Sequence, residues 1–195
     1  MKICLIDNYD SFTFNLEHQI AAFDVDIDVV RNDQITVEEV TARNYDGLVI
    51  GPGPSNPKNA GICLDLIKKL YQSTPILGVC LGHQCIGEAF GATIKKCSVI
   101  KHGKTSMISH DKTSIFKNIK NPYHVMRYHS LVIDPKTLSS DFQVNAWVEE
   151  NNNKTVMAIQ HREYNLTGIQ FHTESIFTDQ GSKLIANFLD IINGK

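Results

Sequence analysis

The chain has 195 residues, 42% hydrophobic and 21% charged, with a formal net charge of −2. Such a balance fits one globular domain over residues 1–195 and gives no electrostatic case for nucleic acid or an anionic membrane. The apolar runs are far shorter than a bilayer span, and Met1-Lys2-Ile3-Cys4-Leu5-Ile6 meets Asp7 too soon for a signal peptide.

Residues 2–6 form an apolar run that ends at Asp7-Asn8, a strand and then a turn. Ser11 is placed to cap a helix over residues 12–23, where Phe12, Leu16, Ile20 and Phe23 recur at helical spacing. Residues 26–30 alternate as a strand, and Thr36 with Glu39 makes a capping box for a short helix. Gly47-Leu48-Val49-Ile50 reads as a buried strand opening into Gly51-Pro52-Gly53-Pro54-Ser55-Asn56-Pro57, which suits neither helix nor strand. A helix over 62–71, a strand over 75–79 and a helix after Cys80 follow. From about Ala92 the texture changes to short alternating runs at 93–101, 104–109, 124–128, 144–148 and 156–160, with a polar turn at 151–154. A strand over 166–171 and a helix over 179–192, with Gly194 past its end, close the chain.

The alternation predicts an α/β fold. Its open, mostly parallel, flavodoxin-like central sheet carries helices on both faces, and a smaller antiparallel sheet belongs to the second half. In such sheets, sites gather at the carboxyl ends of strands. Three loops qualify: residues 7–11, residues 51–57 and the turn at Cys80.

Gly78-Val79-Cys80-Leu81-Gly82 has the order of a nucleophile elbow with sulfur in place of oxygen. Glycines two residues to each side relieve the crowding of such a turn. A sulfur at the start of a helix lies near unpaired N–H groups and the positive end of the dipole, which favour thiolate. Five cysteines are scattered without a C-x-x-C spacing, so neither a zinc site nor a disulfide framework is expected, and a reducing cytoplasm suits them. Cys4, Cys63, Cys85 and Cys97 read as small buried hydrophobes. In Gln170-Phe171-His172-Thr173-Glu174, His172 and Glu174 stand two apart on extended chain and can share a face. Alone, that pair reads as a surface ion pair; beside the elbow it supplies a base and its orienter. His83 rivals it for the base role but would face along its helix. Gly53 and Leu81 offer backbone N–H groups to an oxyanion, and the loop at 51–57 lacks the pattern of a phosphate cradle.

Together, Asp7-Asn8-Tyr9-Asp10-Ser11-Phe12-Thr13, Gly51-Pro52-Gly53-Pro54, Gly78 through Gln84, Met126-Arg127-Tyr128-His129-Ser130-Leu131 and Gly168 through Ser175 resemble the triad glutamine amidotransferases. The first and fourth segments look like the glutamine-hydrolysing components of anthranilate synthase or aminodeoxychorismate synthase. The resemblance implies L-glutamine as substrate, Cys80 as nucleophile, His172 as base and acid, and Glu174 as its orienter. It implies a glutamine site formed by Gly53, Pro54, Ser55, Leu81, Gln84, Ser130 and Leu131. It implies no metal and no cofactor in this chain, and a chorismate-binding synthase as partner near His102-Gly103-Lys104. Anthranilate synthase is the first reading of that partner, aminodeoxychorismate synthase or service to both is the second, and a stand-alone γ-glutamyl cysteine hydrolase is the rival of another class. Two positions depart from the family pattern. Thr173 stands where proline is usual, which frees the backbone beside His172, and Ser55 where glycine is common, which crowds the pocket or adds a hydrogen bond there.

Overall fold

The computed structural model describes residues 1–150 and 153–194. Five parallel strands come first in the architecture: β1 (Lys2–Asp7), β2 (Asp26–Arg31), β3 (Gly47–Ile50), β4 (Ile76–Val79) and β9 (Leu166–Ile169). Four antiparallel ones join them: β5 (Ile94–His110), β6 (Tyr123–Ile133), β7 (Phe142–Glu150) and β8 (Asn153–His161). The order is β2-β1-β3-β4-β9-β8-β7-β5-β6. The α/β expectation therefore holds, and the antiparallel part is attached to the parallel part along β9.

Side chains alternate across the parallel strands and build two cores. Ile3, Leu5, Val49, Leu77 and Val79 meet α1 (Thr13–Ala21) and α5 (Gly181–Ile192) through Leu16, Ile20, Leu184, Ile185 and Phe188. Cys4, Ile6, Leu48, Ile50 and Ile76 meet α2 (Val37–Ala42), α3 (Cys63–Leu70) and α4 (Leu81–Ala89). In α3, Cys63, Leu66, Ile67 and Leu70 recur at helical spacing and all are buried. The capping box at Thr36 and Glu39 forms in both directions.

Three details correct the sequence reading. Ser11 caps nothing: α1 begins at Thr13, with Phe12 in the cap position and no side-chain cap bond. The Asp7 carboxylate organises this turn instead, accepting from Tyr9 N at 2.8 Å, Asp10 N at 3.3 Å and Thr13 Oγ1 at 2.8 Å. The expected strands at 93–101 and 104–109 are one strand, β5, whose ladder with β6 is irregular between Lys96 and Lys101 and between His102 and Lys104. The last helix starts at Gly181, because Gln180 is left-handed and Asp179 N–H is taken by His124 O at 2.9 Å. The polar turn at 151–154 falls partly outside the described residues; Glu150 pairs with Asn153 across it.

Because β1, β3 and β4 run the same way, their carboxyl-end loops lie side by side. Asn8 Nδ2 donates to Gly51 O at 2.9 Å. A Cβ on Gly53 would lie 2.5 Å from Asn8 Cβ and 2.7 Å from Leu81 Cδ2. All three loops expected to carry the site thus touch. At the elbow, a Cβ on Gly82 would lie 2.2 Å from Ile50 O, a backbone atom that cannot step aside. Gly82→Ala should cost about 3 kcal/mol, at the upper end of overpacking effects, read as a lowered denaturant midpoint with an unchanged m-value.

Candidate active site

Cys80 has φ +54° and ψ −98°, a conformation that a side chain rarely adopts and that costs about 1–3 kcal/mol. It is held there from both sides. Cys80 N–H donates to Ile169 O at 2.8 Å, and Gln84 N–H donates to Cys80 O at 3.2 Å. A Cβ on Gly78 would lie 2.5 Å from Gly82 C and O, so the strand leaves directly into the helix only with glycine at both places. Leu81, first in α4, keeps an N–H with no partner inside the helix.

The sulfur opens on a cleft of about 210 Å³ lined by Gly53, Pro54, Ser55, Leu81, Gln84, Ser130 and Leu131, together with Tyr128 and His129. Every residue that the resemblance placed at the glutamine site is brought to this one cleft. Gln84 Nε2 donates to Leu131 O and to Gln170 Oε1, each at 3.1 Å. A larger hollow of about 340 Å³ beside Asp7, Arg31 and Arg43 has no nucleophile.

His172 reaches Cys80 from the segment after β9. It forms a bridge with Met126, its N–H donating to Met126 O at 3.1 Å. Thr178 Oγ1 donates to His172 O at 2.5 Å and accepts from Met126 N at 2.9 Å. Phe12 and Tyr128 pack edge-on against the ring, with centroids at 5.7 and 5.1 Å. His172 Nδ1 donates to Glu174 Oε1 at 2.6 Å, and both side chains are buried. That bond leaves Nε2 for the sulfur. Nε2 makes no hydrogen bond of good geometry and is the ring atom left to couple with the Cys80 sulfur. Burial alone would push the imidazole pKa down; the Cys80 sulfur and the Glu174 carboxylate outweigh it and hold it well above the ordinary range.

The other candidates stand apart. His83 is fully buried against Gly168, with a pKa lowered by burial to about 4, and does not serve Cys80. Cys4, Cys63, Cys85 and Cys97 are buried free thiols. Burial, with Asp28 nearby, pushes Cys4 up to about 12, and Cys63 beside it with burial pushes Cys85 well up, so neither yields a thiolate.

At Ser55, φ is +70°, a backbone that favours glycine, and its hydroxyl is turned to Asn59 Nδ2 at 2.8 Å. The freedom that Thr173 brings is taken up by Gln19 Nε2, which donates to Thr173 O at 2.7 Å. Sequence reasoning gave no role to Asn8, Arg127, Tyr128, His129 or Gln170. Gln170 Nε2 lies 3.8 Å from Cys80 Sγ, and its place two residues before His172 on the same extended chain was the available signal.

Residues 4–192 match the family model of class-I glutamine amidotransferases. The chain belongs to this family. It is 46% identical over 187 residues to the aminodeoxychorismate synthase component 2 of Escherichia coli K12, covering 96% of this chain and 98% of that protein. Identity to the anthranilate synthase component 2 of Cyanophora paradoxa is 45% over 192 residues, 98% of this chain and all of that one. The Bacillus subtilis protein named aminodeoxychorismate/anthranilate synthase component 2 is 45% identical over 188 residues, 96% and 95% of the two chains. Among solved structures, a protein of Thermoplasma acidophilum described as one subunit of a GMP synthase superposes with a TM-score of 0.87 at 27% identity, over all of this chain and 94% of that one.

In this class-I amidotransferase, Glu174→Gln removes a charged acceptor from Nδ1. The His172 titration should move to lower pH, because the protonated ring loses a partner that favours it. Ring-proton NMR across a pH series checks this; an unmoved midpoint would count against the assigned orientation.

Proposed function

We propose that the protein is the glutaminase component of a synthase that aminates chorismate. The observation that carries this reading is the buried His172–Glu174 pair brought to a cysteine in a strained elbow, beside a cleft lined by the family's glutamine-binding positions.

The Cys80 sulfur attacks the side-chain amide carbon of L-glutamine, and the S–C bond forms as the carbonyl oxygen gains charge. Gly53 and Leu81 offer N–H groups to that oxygen. His172, holding the proton from Cys80, gives it to the amide nitrogen; the C–N bond breaks and ammonia leaves. Water then adds to the thioester, its proton passing to His172, and glutamate is released as the S–C bond breaks. Gln84, Ser130 and Leu131 hold the amino-acid end of the substrate.

Surface chemistry around the site supports a partner. Ile176 and Phe177, directly after the triad, are 92% and 58% exposed, and Phe14 is 59% exposed. His102 on the exposed β5 ribbon packs edge-on to Tyr128 at 5.5 Å, and Tyr128 packs on His172. A synthase docked there would sit two rings from the base. Anthranilate synthase is the first reading of that partner. Relatives named for aminodeoxychorismate synthase, and one named for both, favour aminodeoxychorismate synthase, or shared service, as the second.

Mixing the chain with each candidate synthase, glutamine and chorismate, and identifying the aromatic product, tests this. Glutamine hydrolysis should be slow alone and rise with the correct partner. Cys80→Ala should abolish it by on the order of a thousandfold or more, while added ammonia restores amination. Full-rate hydrolysis without a partner would point instead to a stand-alone γ-glutamyl hydrolase.

A further inference from the structure

We infer that Arg127 is a positioning residue for the glutamine cleft, acting through His129 on the carbonyl of Leu131; this rests on the cleft being the glutamine site. Arg127 is fully buried in β6, the strand that also carries the cleft residues Tyr128 to Leu131. Its guanidinium Nε donates to His129 Nε2 at 2.9 Å. With that nitrogen an acceptor, His129 must carry its proton on Nδ1, which lies 3.1 Å from Leu131 O and donates to it. Leu131 O therefore has two donors, His129 Nδ1 and Gln84 Nε2.

The ladder explains why such a relay is needed. Across β5 and β6, His129 faces Lys101 and Leu131 faces Lys96, and the irregularity between them leaves Ser130 without a ladder partner. A backbone released from its sheet is available to a ligand, and it also has nothing to fix it but side chains. His129 and Gln84 supply a hold directly beside it, on the carbonyl of the neighbouring Leu131. The relay works only with a neutral His129, and burial together with the Arg127 charge lowers that ring to about 3. Arg127 is itself fixed by Glu150 Oε2 at 2.8 Å and Ser106 Oγ at 3.0 Å through Nη1, with Lys101 on the same carboxylate. A methionine or lysine here could fill the space but could not present a donor at the Nε position.

The test compares Arg127→Met, His129→Leu, His129→Gln and Glu150→Gln with the unaltered chain, each with its synthase partner. Arg127→Met and His129→Leu should raise the glutamine KM by about tenfold, the worth of one lost hydrogen bond, with kcat within about twofold. His129→Gln, which keeps a neutral donor and acceptor, should recover part of the loss. Glu150→Gln keeps the Arg127–His129 bond but weakens one anchor of Arg127, and should raise KM by clearly less than Arg127→Met. Equal KM effects from Glu150→Gln and Arg127→Met, or identical His129 variants, would overturn the relay in favour of general loosening of the ribbon. Should Arg127→Met fail to fold, the two His129 variants decide. Amide exchange at residues 128–131, measured without substrate, should quicken selectively in His129→Leu. Unchanged exchange there overturns the relay even if the chain hydrolyses no glutamine, and quickened exchange with no hydrolysis by the unaltered chain refutes the proposed function alone.

Discussion

A single backbone torsion governs this site. Cys80 sits at φ +54°, where its own side chain crowds the main chain, and only the surrounding fold keeps it there. β4 is buried on both faces, α4 is buried along most of its length, and the junction between them is too tight for any residue but glycine at Gly78 and Gly82. The strain is small against the apolar burial on either side of the sheet, so the turn persists and the sulfur is presented at the carboxyl end of an interior strand. A relaxed turn would aim it elsewhere and leave the cleft without the proposed nucleophile.

His172, the proposed base, arrives by an opposite strategy. His172 is not strained; it is over-determined. Met126, Thr178, Glu174, Phe12 and Tyr128 each fix a different part of it. Such redundancy makes the local backbone tolerant, which accounts for Thr173 in place of a stiffer residue. Its carbonyl is tied to Gln19 from α1, so the restraint comes from a neighbouring helix and not from a ring in the chain. Ser55 is tolerated for a related reason, since its hydroxyl is satisfied by Asn59 outside the cleft.

Polar groups beneath the site explain the opening motif. Asp7 organises the turn after β1, and Asn8 sits under the loop at 51–53, donating to Gly51 O and accepting from Asn32 Nδ2 at 2.8 Å and Cys63 Sγ at 3.3 Å. A buried amide held by three hydrogen bonds is rigid. Here that rigidity passes to Gly53, whose missing Cβ is the space Asn8 occupies. Asn8 thus supports the cleft at Gly53, as Arg127 and His129 do at Leu131.

Motifs shared with a known family marked the residues of the cleft; by itself the sequence determined the parallel half, the elbow and the capping box. These depend on local spacing: apolar alternation of period two, helical repeats, and glycines where a turn allows nothing else. Ser11 misled because a local capping pattern lost to Asp7, a residue four positions earlier whose reach is set by the turn. The two expected runs in β5 were one strand because a bulge looks, in sequence, like an ending. Only the tertiary structure decided that His172 faces Cys80, that the antiparallel strands continue the sheet from β9, and that Arg127, His129 and Asn8 support the cleft. Apart from the short steps from Arg127 to His129 and Leu131, those contacts join residues tens of positions apart, and no local periodicity encodes which distant strand a side chain will meet.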